Sequence, residues 1–516
     1  MPLPQWEFAA RACAAWPGEG LPARHGVGIL RAWSKTLERH IIVCGRRALA
    51  ALAQRKRDGA WSPQTRASPE ELVVRKFVEE LTGTYGYPMT HIVTSPQHRV
   101  KGRPSGKAAY PVDIAVFESA AKRESQLKII VECKAPNIKS GKAQLQDYLG
   151  LSDATVGVWF NGEGFAAIQK RTRRGRVEYV DIPDIPRLGE RVEDIGMHMR
   201  KDLVAPHNLK RVFREIRNHL AGSSSSTTRD EAFAKGMINL ILCKLYDEKY
   251  TRPGDMVKFR AGADEEPKAV ARRIRDLLSG ARDEYSDVFD RTDKIGLDAE
   301  STAHIVGRLQ RYSLLDSERD AIADAFEVFI GPSLRGEKGQ FFTPRNVVRA
   351  IVDILDIRHD DRVMDPACGS GGFLSECLRH IQRRVEQEGR RLGWPERRIE
   401  AEKVRRVSNQ LSGIEKDSFL SKVAKSYMII LGDGRSGIMC ANALESPERW
   451  ENGAGSTPEL GTYDVVVTNP PFGSKITVSG EALLSGFELG HKWRKSGGGG
   501  GFAARRERGS PRRYSS

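Results

Sequence analysis

A short apolar run that ends in a glycine-rich turn constrains the fold of the C-terminal half more than any other feature. Residues 362–364 read as a strand, Asp365 follows directly, and a turn with Gly369 and Gly371 leads into a helical pattern that begins at Phe373. Glycines let the backbone approach a ligand closely, and a helix N-terminus favours an anionic group. The pattern predicts a strand–turn–helix unit that binds a ligand at the edge of a parallel sheet.

A second acidic position fits the same sheet. Glu415 lies about 45 residues after the glycine-rich turn, where the next strand of the sheet should end. In dinucleotide-binding folds, an acidic residue at this point holds both ribose hydroxyls. We therefore predict Glu415 as a ligand for a ribose.

The tetrapeptide Asn469-Pro470-Pro471-Phe472 follows residues 463–468, which are predicted to form a buried strand. The Asn469 side-chain oxygen and the Pro470 carbonyl can each accept one N–H of an exocyclic amine, which frees the nitrogen lone pair. Proline fixes the backbone, so this carbonyl can point into a site. Phe472 can stack on a base that has left the duplex. The motif predicts transfer of a methyl group to a base amine.

With these motifs in place, residues 201–489 resemble the modification subunit of type I restriction-modification systems and its nuclease-fused relatives. Residues 339–344 resemble the family's loop that closes over the methionine end of the cofactor. The resemblance implies a doubly wound, Rossmann-like domain that uses S-adenosylmethionine for N6-adenine methylation of DNA. Asp365 would contact the cofactor's amino group, and Asn442 stands where many relatives carry an Asp near the adenine. The implied cofactor-binding residues are Gln340, Phe341, Thr343, Pro344, Asp365, Ala367, Gly369, Ser370, Gly371, Glu415 and Asn442.

A second constellation lies in the first half of the chain. Asp113 and Glu132-x-Lys134 fit a D…(D/E)-x-K pattern on two predicted strands. Residues i and i+2 of a strand point to the same side, so Glu132 and Lys134 can face one metal site. Mg²⁺ prefers oxygen ligands, here Asp113 and Glu132, and keeps waters that can attack a phosphodiester. Glu71, or its neighbour Glu70, could supply a third carboxylate from the preceding helix.

Gln144-x-x-x-Tyr148 follows about ten residues after Lys134. This segment resembles the N-terminal nuclease domain of type I restriction subunits, which has such a Gln/Tyr pair on a following helix. The resemblance implies a PD-(D/E)xK-like mixed α/β fold, with Gln144 in its active site. A Glu and a Lys two apart on a strand are common, however, so the pattern alone leaves a purely structural role open.

These segments predict five regions. Residues 1–60 form an unassigned basic extension, 61–200 a nuclease-like domain, 201–335 a helical domain and 336–489 an adenine-specific methyltransferase domain. Residues 490–516 are rich in Gly and Arg, and we expect them to be disordered. The abrupt change in composition predicts that the methyltransferase domain is incomplete and the chain truncated after the Asn-Pro-Pro-Phe motif.

Composition narrows the class of protein without deciding it. The net charge is +16, but residues 1–60 carry 10 Lys and Arg against 4 Asp and Glu, and residues 490–516 carry 8 against 1. This concentration in the two ends makes charge a weak argument for DNA binding. The sequence contains no apolar run that is long enough to predict a membrane span. The seven scattered cysteines fit a reducing compartment, so a cytoplasmic location in a prokaryotic cell is expected.

Double-stranded DNA is the expected partner, together with a separate specificity subunit, because the sequence reveals no recognition domain. No phosphate loop of the G-x-x-x-x-G-K-[ST] type occurs in the sequence, which argues against an ATP-driven translocase in this chain. Two alternatives remain open. The chain could be a non-catalytic remnant that binds the cofactor or a partner, or it could methylate N4 of cytosine, because related amine clamps serve that base.

Overall fold

The computed structural model divides the chain into Met1–Ser68 and Pro69–Ser516, and all described helices and strands belong to the second unit. The described residues are 68–101, 109–138, 140–206, 208–223, 230–290, 292–317, 319–334, 343–407, 410–432, 437–445, 447, 450, 458–459, 461–470, 492–495 and 502–505. The predicted basic extension of residues 1–60 lies outside them.

The N-terminal α/β region (residues 69–186) is built on a six-stranded mixed sheet. Its helices are α1 (Pro69–Gly83) and α2 (Lys142–Gly150). Its strands are β1 (Ile92–Thr94), β2 (Arg99–Lys101), β3 (Ala109–Pro111), β4 (Ile114–Phe117), β5 (Leu127–Cys133), β6 (Val156–Phe160), β7 (Phe165–Arg173) and β8 (Arg176–Ile182). The sheet order is β1-β4-β5-β6-β7-β8, and β2 pairs with β3 separately.

Both faces of this sheet are covered because successive side chains of a strand point to opposite sides. On one face, Ile129 and Val131 of β5 pack with Phe77 of α1. On the other face, Ile130 packs with Leu145 of α2. Strands β5 and β6 are parallel, and α2 forms the crossover between them. The near-continuous apolar run of β5 that the sequence showed is therefore explained by burial on both sides.

The helical region follows, as its periodicity predicted. Its helices are α3 (Leu209–Ser223), α4 (Asp230–Tyr250), α5 (Pro267–Glu284), α6 (Ala299–Leu309) and α7 (Arg319–Leu334). Apolar residues of these helices, such as Phe213, Ile241 and Phe326, belong to one buried cluster that continues to Leu374 and Val423 further along the chain. The helical region therefore shares its core with the segment that follows it.

The C-terminal α/β region (residues 343–470) is a four-stranded parallel sheet with helices. The helices are α8 (Arg345–Leu355), α9 (Gly372–Arg391), α10 (Glu396–Val407) and α11 (Ser418–Leu431). The strands are β9 (Val363–Asp365), β10 (Leu411–Glu415), β11 (Ile438–Cys440) and β12 (Val465–Val466), in the order β11-β10-β9-β12. The predicted parallel sheet is thus present.

The strand order of this sheet reverses at β9. From β9 the chain first builds outward through β10 and β11, and β12 then returns to pair with the other side of β9. In open parallel sheets, ligands bind where the order reverses, outside the carboxyl ends of the strands. Asp365 ends β9 and Asn469 follows β12, so both predicted site residues stand at this position.

Two details differ from the sequence predictions. The buried strand predicted over 463–468 is only two residues long here, and 50% of Val466 is exposed. In the tail predicted to be disordered, Lys492–Lys495 (β13) pairs antiparallel with Phe502–Arg505 (β14). A segment with few apolar residues is not expected to form a buried core. Its strands can still pair, because pairing requires only hydrogen bonds between backbone groups.

No helix in the described part of the chain is long and apolar enough to cross a membrane.

A buried group of charges joins the N-terminal α/β region to the helical region. Arg308 of α6 lies 2.8 Å from Glu215 of α3 and 3.6 Å from Glu80 of α1, and the side chains of all three are about 1% exposed. Its guanidinium also lies 3.7 Å from the centre of the Phe165 ring. Arg211 of α3 contacts Glu80 as well, at 2.6 Å. Charges so far from water persist only when they are paired, so each side of this interface requires the other.

A second buried arginine extends this group. Arg311 forms an ion pair with Asp184, donates to the backbone oxygen of Ile185 at 2.7 Å, and lies 3.1 Å from Glu190. The Tyr85 hydroxyl donates to the same Asp184 carboxylate at 2.6 Å. We name Glu80, Asp184, Glu190, Arg211, Glu215, Arg308 and Arg311 the interregion ion cluster.

Removal of Arg308 should destabilise the protein strongly. The Arg308→Met variant leaves Glu80 and Glu215 buried with less compensation, which costs about 3–5 kcal/mol in comparable pairs. Urea denaturation should therefore give a much lower midpoint. Arg191→Met is the control, since Arg191 pairs with Asp194 at the surface and should leave the midpoint unchanged. Equal midpoints for the two variants would contradict a structural role for the cluster.

Candidate functional site

Asp365 occupies the end of β9 with its side chain almost entirely buried, at 1% exposure. Its carboxylate accepts a hydrogen bond from the backbone N–H of Ala367 at 3.2 Å. Burial raises the pKa of Asp365 to about 7, and the hydrogen bonds from Thr468 and Ala367 oppose this rise only in part. A buried carboxylate with this pKa suits a cationic ligand, because a positive charge would replace the solvation that it has lost.

The glycine-rich turn beside Asp365 is held by Glu415. One carboxylate oxygen of Glu415 accepts from the Gly369 N–H at 2.9 Å, and the other accepts from the Asp417 N–H at 2.8 Å. Gly369 and Gly371 have φ angles of 56° and 83°, a left-handed conformation that favours glycine. Burial raises the pKa of Glu415, and the two N–H groups act against this rise. The strand-end acid and the turn therefore form one unit.

Close packing under the turn depends on Gly413 of β10. A Cβ at this position would lie 2.7 Å from Leu374 and 3.1 Å from the Cys368 sulfur. Cys368 is therefore a buried packing residue, and burial raises the pKa of its thiol well above the usual range.

Asn469 and Thr343 meet, although 126 residues separate them in the chain. The side-chain nitrogen of Asn469 donates to the Thr343 hydroxyl at 2.8 Å. A carboxamide has one oxygen acceptor and one NH₂ donor group. A bond through the nitrogen leaves the Asn469 oxygen available as an acceptor. The predicted loop residue and the predicted amine clamp thus belong to one site.

A pocket opens next to the glycine-rich turn. Thr343, Ser370, Gly372 and Tyr427 line it, together with Arg345. Arg345, which sequence reasoning missed, forms ion pairs with Asp324 and with Glu327 at 2.7 Å, both on α7. It also hydrogen bonds to the Tyr427 hydroxyl. Its place directly after the Thr343-Pro344 pair was the available signal.

The remaining predicted cofactor residues surround the same edge. Pro344 precedes α8 as its N-cap, and Ser370 and Ala367 lie in the turn. Asn442 follows β11, next to β10 and Glu415; its side chain accepts from the Leu444 N–H at 3.3 Å. Gln340, Phe341, Pro471 and Phe472 lie outside the described residues.

The second predicted constellation comes together in the N-terminal α/β region. The Asp113 carboxylate accepts from the Cys133 N–H at 2.7 Å, which fixes it against the end of β5. Glu132 is buried and forms an ion pair with Lys134. Burial raises the pKa of both carboxyl groups, and the repulsion between Asp113 and Glu132 adds to the rise for Glu132. Two such carboxylates fit a cation that is bound through oxygen.

Lys134 lies between this pair and the start of α2. Burial lowers the pKa of Lys134, but its hydrogen bond to Glu132 and the nearby carboxylates outweigh this effect, so the pKa is raised. A Cβ on Gly141 would lie 3.3 Å from the Lys134 side chain and 2.9 Å from the Trp159 ring. Absence of a side chain at Gly141 therefore leaves room for the lysine.

Glu70 is one of the two candidates for a third carboxylate, and its charge raises the pKa of Asp113, Glu132 and Lys134. Glu71, the other candidate, stays a prediction. Gln144 donates to the Tyr148 hydroxyl at 2.8 Å. This hydrogen bond joins the predicted pair to each other rather than to the carboxylates.

Asp113 and Glu132 are the two candidate metal ligands that the structure brings together in this region. No group of three or more His, Cys, Asp or Glu side chains arranged for a metal occurs among the described residues. Mg²⁺ is often held by only one or two carboxylates, with waters and substrate phosphates as further ligands. The pair Asp113 and Glu132 fits that pattern.

Two protein-family models match separate parts of the chain. Residues 317–496 match N-6 DNA Methylase, and residues 69–186 match Type I restriction enzyme R protein N terminus (HSDR_N). The matched segments agree with the two resemblances inferred from the sequence motifs. They support a relationship to type I restriction-modification proteins.

Curated relatives support the same relationship. The chain is 29% identical over 246 residues to the type I restriction enzyme MjaVII methylase subunit of Methanocaldococcus jannaschii, covering 46% of this chain and 37% of that protein. It is 28% identical over 173 residues to the type I restriction enzyme EcoEI methylase subunit of Escherichia coli, covering 33% and 31%. The type II restriction enzyme and methyltransferase RM.BcgI of Heyndrickxia coagulans is 31% identical over 134 residues, covering 26% and 18%. The chain thus spans about a third of the length of the first two relatives.

The pKa of Asp365 should make stability depend on pH. The folded-state pKa is about 7 and an unfolded Asp titrates near 4, so the folded protein binds this proton more tightly. The stability that this group contributes is then lost as pH rises from about 4 through 7. In the Asp365→Asn variant, residue 365 does not titrate, so this loss of stability with rising pH does not occur. Its unfolding midpoint in urea should exceed that of the parent protein by a margin that grows from pH 5 to pH 8, and parallel curves would contradict the raised pKa.

Proposed function

We propose that this chain is a DNA N6-adenine methyltransferase of a type I-like restriction-modification system, and that S-adenosylmethionine is its methyl donor. One observation carries the proposal. Asp365 and Asn469 stand at the carboxyl ends of two adjacent parallel strands where the sheet order reverses, and Thr343 joins the second of them to the pocket beside the glycine-rich turn. The match of residues 317–496 to N-6 DNA Methylase supports the same chemistry.

The residues beside the turn fit the cofactor. We assign the buried Asp365 carboxylate to the cofactor's ammonium group, and the Glu415 carboxylate to the ribose hydroxyls, which is the role of a strand-end acid in dinucleotide-binding folds. The left-handed Gly369 and Gly371 keep the turn free of side chains at the ligand. When bound, S-adenosylmethionine supplies a methyl group on a positively charged sulfur.

Asn469 and Pro470 act on the acceptor. Their side-chain and backbone oxygens accept the two hydrogens of the adenine amine, which moves the nitrogen lone pair out of conjugation with the ring. The nitrogen could then accept the methyl group that the bound cofactor would supply, with the cofactor's sulfur as the leaving group, and one amine proton would pass to solvent. Thr343 holds the Asn469 amide by its nitrogen, so the oxygen remains turned to the base.

Substitution of Asn469 tests this assignment. Asn469→Ala should lower methyl transfer to unmethylated bacterial DNA by about 10–100-fold or more, because one hydrogen bond to the reacting amine is lost, while cofactor binding is kept. Thr343→Val should lower the turnover number by about tenfold, because the Asn469 amide loses its hydrogen-bond partner, and Thr343→Ser should restore it. Incorporation of radiolabelled methyl groups measures the rate, and calorimetry measures cofactor binding.

Digestion of the labelled DNA to nucleosides decides among the alternatives. Label in N6-methyl-2′-deoxyadenosine supports the proposal, and label in N4-methyl-2′-deoxycytidine would replace it with the cytosine reaction. Cofactor binding without transfer to any DNA would favour a non-catalytic remnant. An Asn469→Ala variant as active as the parent protein would remove the amine clamp.

We also propose that the N-terminal α/β region is a Mg²⁺-dependent DNA nuclease fused to the methyltransferase. The joined Asp113, Glu132 and Lys134 side chains support this, as does the match to the N terminus of type I restriction subunits. When bound, Mg²⁺ polarises the scissile phosphate and makes a bound water more acidic. Lys134 holds Glu132 in place and offers a positive charge to the attacking water or the phosphate.

Plasmid cleavage in the presence of Mg²⁺ tests the nuclease. Lys134→Ala should reduce the rate of nicking by at least about 100-fold, since a charge that stabilises the transition state is lost, while methyl transfer stays unchanged. Lys76→Ala is the matched control because this exposed lysine of α1 lies in the same region. Unchanged nicking by Lys134→Ala would remove the nuclease assignment and leave the methyltransferase proposal intact.

The partners of both activities are double-stranded DNA and a separate specificity subunit that selects the site. The curated relatives are named as methylase subunits, a name that implies an assembly for those proteins. For this chain, a separate specificity subunit is proposed.

A further inference from the structure

The β7–β8 hairpin carries a group of arginines that the fold itself does not use. Strand β7 continues for four residues, Lys170 to Arg173, past its last pairing with β6 at Gln169. Lys170 still donates its backbone N–H to the Thr155 oxygen at 2.8 Å. Arg171 to Arg173 pair only with β8, so the hairpin projects as a two-stranded ribbon for about 10 Å beyond this contact. Arg173, Arg174 and Arg176 form its tip, and all three side chains are exposed.

The cations nearer the sheet are engaged within the protein. Lys170 donates to the backbone oxygens of Leu149 at 2.9 Å and Ser152 at 2.5 Å. Arg171 forms an ion pair with Asp264 at 2.5 Å and stands opposite Glu178 in the hairpin. By contrast, the guanidinium groups of Arg173, Arg174 and Arg176 have no hydrogen bond or ion pair to any described residue.

The tip arginines also oppose folding of the hairpin. Arg173 and Arg176 are directly opposite each other in the ladder, and like charges at such positions destabilise a sheet. Arg174 and Gly175 have φ angles of 52° and 76°, as in the two-residue turn that favours Asn-Gly. Arg174 therefore adopts a left-handed conformation that is unfavourable for its side chain. Stability of the fold explains none of the three charges, whereas binding of an anionic ligand would.

We propose that the hairpin tip of Arg173, Arg174 and Arg176 binds phosphates of duplex DNA. This rests on the proposed DNA-modifying function. A two-stranded ribbon fits a groove of B-DNA, and three guanidiniums within four residues match closely spaced phosphates. Half or more of the hydrogen bonds between proteins and DNA go to phosphate and sugar oxygens, and arginine is one of their donors, so the tip would position the duplex through its backbone.

The tip lies at the end of the sheet opposite the nuclease-like carboxylates. Cys133 of β5 pairs with Phe160 of β6, which pairs with Phe165 at the start of β7. Arg173 is eight residues further along β7, or about 26 Å away along the strand. A duplex that contacts both places must span roughly eight base pairs. The hairpin thus provides a second contact point that is separate from the reacting groups.

The test replaces the three charges by residues that suit the hairpin better. In the Arg173→Thr/Arg174→Asn/Arg176→Thr variant, a β-branched pair replaces the opposed arginines and Asn-Gly forms the turn. Its melting temperature should equal or exceed that of the parent protein. Fluorescence anisotropy with a labelled 30-base-pair duplex, without Mg²⁺ or cofactor, should give about tenfold or more weaker binding in 0.1 M salt. The slope of log K against log salt should fall by about 2–3.

A matched control removes the same number of charges elsewhere. Lys268→Gln/Arg272→Gln/Arg275→Gln changes three exposed residues of α5 and should reduce affinity clearly less. Equal losses for both variants would show an effect of net charge alone and overturn the proposal, and so would unchanged binding by the hairpin variant. Absence of duplex binding by the parent protein would count against the proposed DNA function as well, whereas loss of hairpin dependence alone would leave that function standing.

Discussion

The interregion ion cluster is the constraint on which the arrangement of this chain depends. Arg308 and Arg311 belong to the helical region. Three of their carboxylate partners, Glu80, Asp184 and Glu190, precede that region in the chain. Apolar contacts tolerate sliding, but buried ion pairs are strongly directional and costly to separate. They fix how α1 and the segment after β8 meet α3 and α6. Because the helical region shares its apolar core with the C-terminal sheet, that orientation is passed on along the chain.

This arrangement explains why the pocket beside the glycine-rich turn is built from more than one region. Arg345 lies in the C-terminal α/β region, but Asp324 and Glu327 of α7 hold its guanidinium from the helical side. Lys422 of α11 likewise contacts Asp293, 2.7 Å away in the helical region. The cofactor site proposed here is therefore supported from outside its own sheet, and the helical region contributes to its shape.

Local signals in the sequence predicted the elements well. Glu132 lies on strand β5, as predicted, and the glycine-rich turn leads into α9. Contacts between segments that are distant in the chain were harder to predict from the sequence. Glu80 and Arg308 look like ordinary surface charges in sequence because nothing local encodes their burial. The pairing of Thr343 with Asn469 required the return of β12 to β9.

Glu415 also bears on the thermodynamics of ligand capture. Its carboxylate already accepts the Gly369 and Asp417 N–H groups, so the turn is organised before any ligand arrives. Association then requires little further ordering of the backbone, and a larger share of the contact energy is expressed as affinity. The turn is therefore a preformed part of the receptor, and its share of the selectivity arises from shape and charge that exist in the free protein.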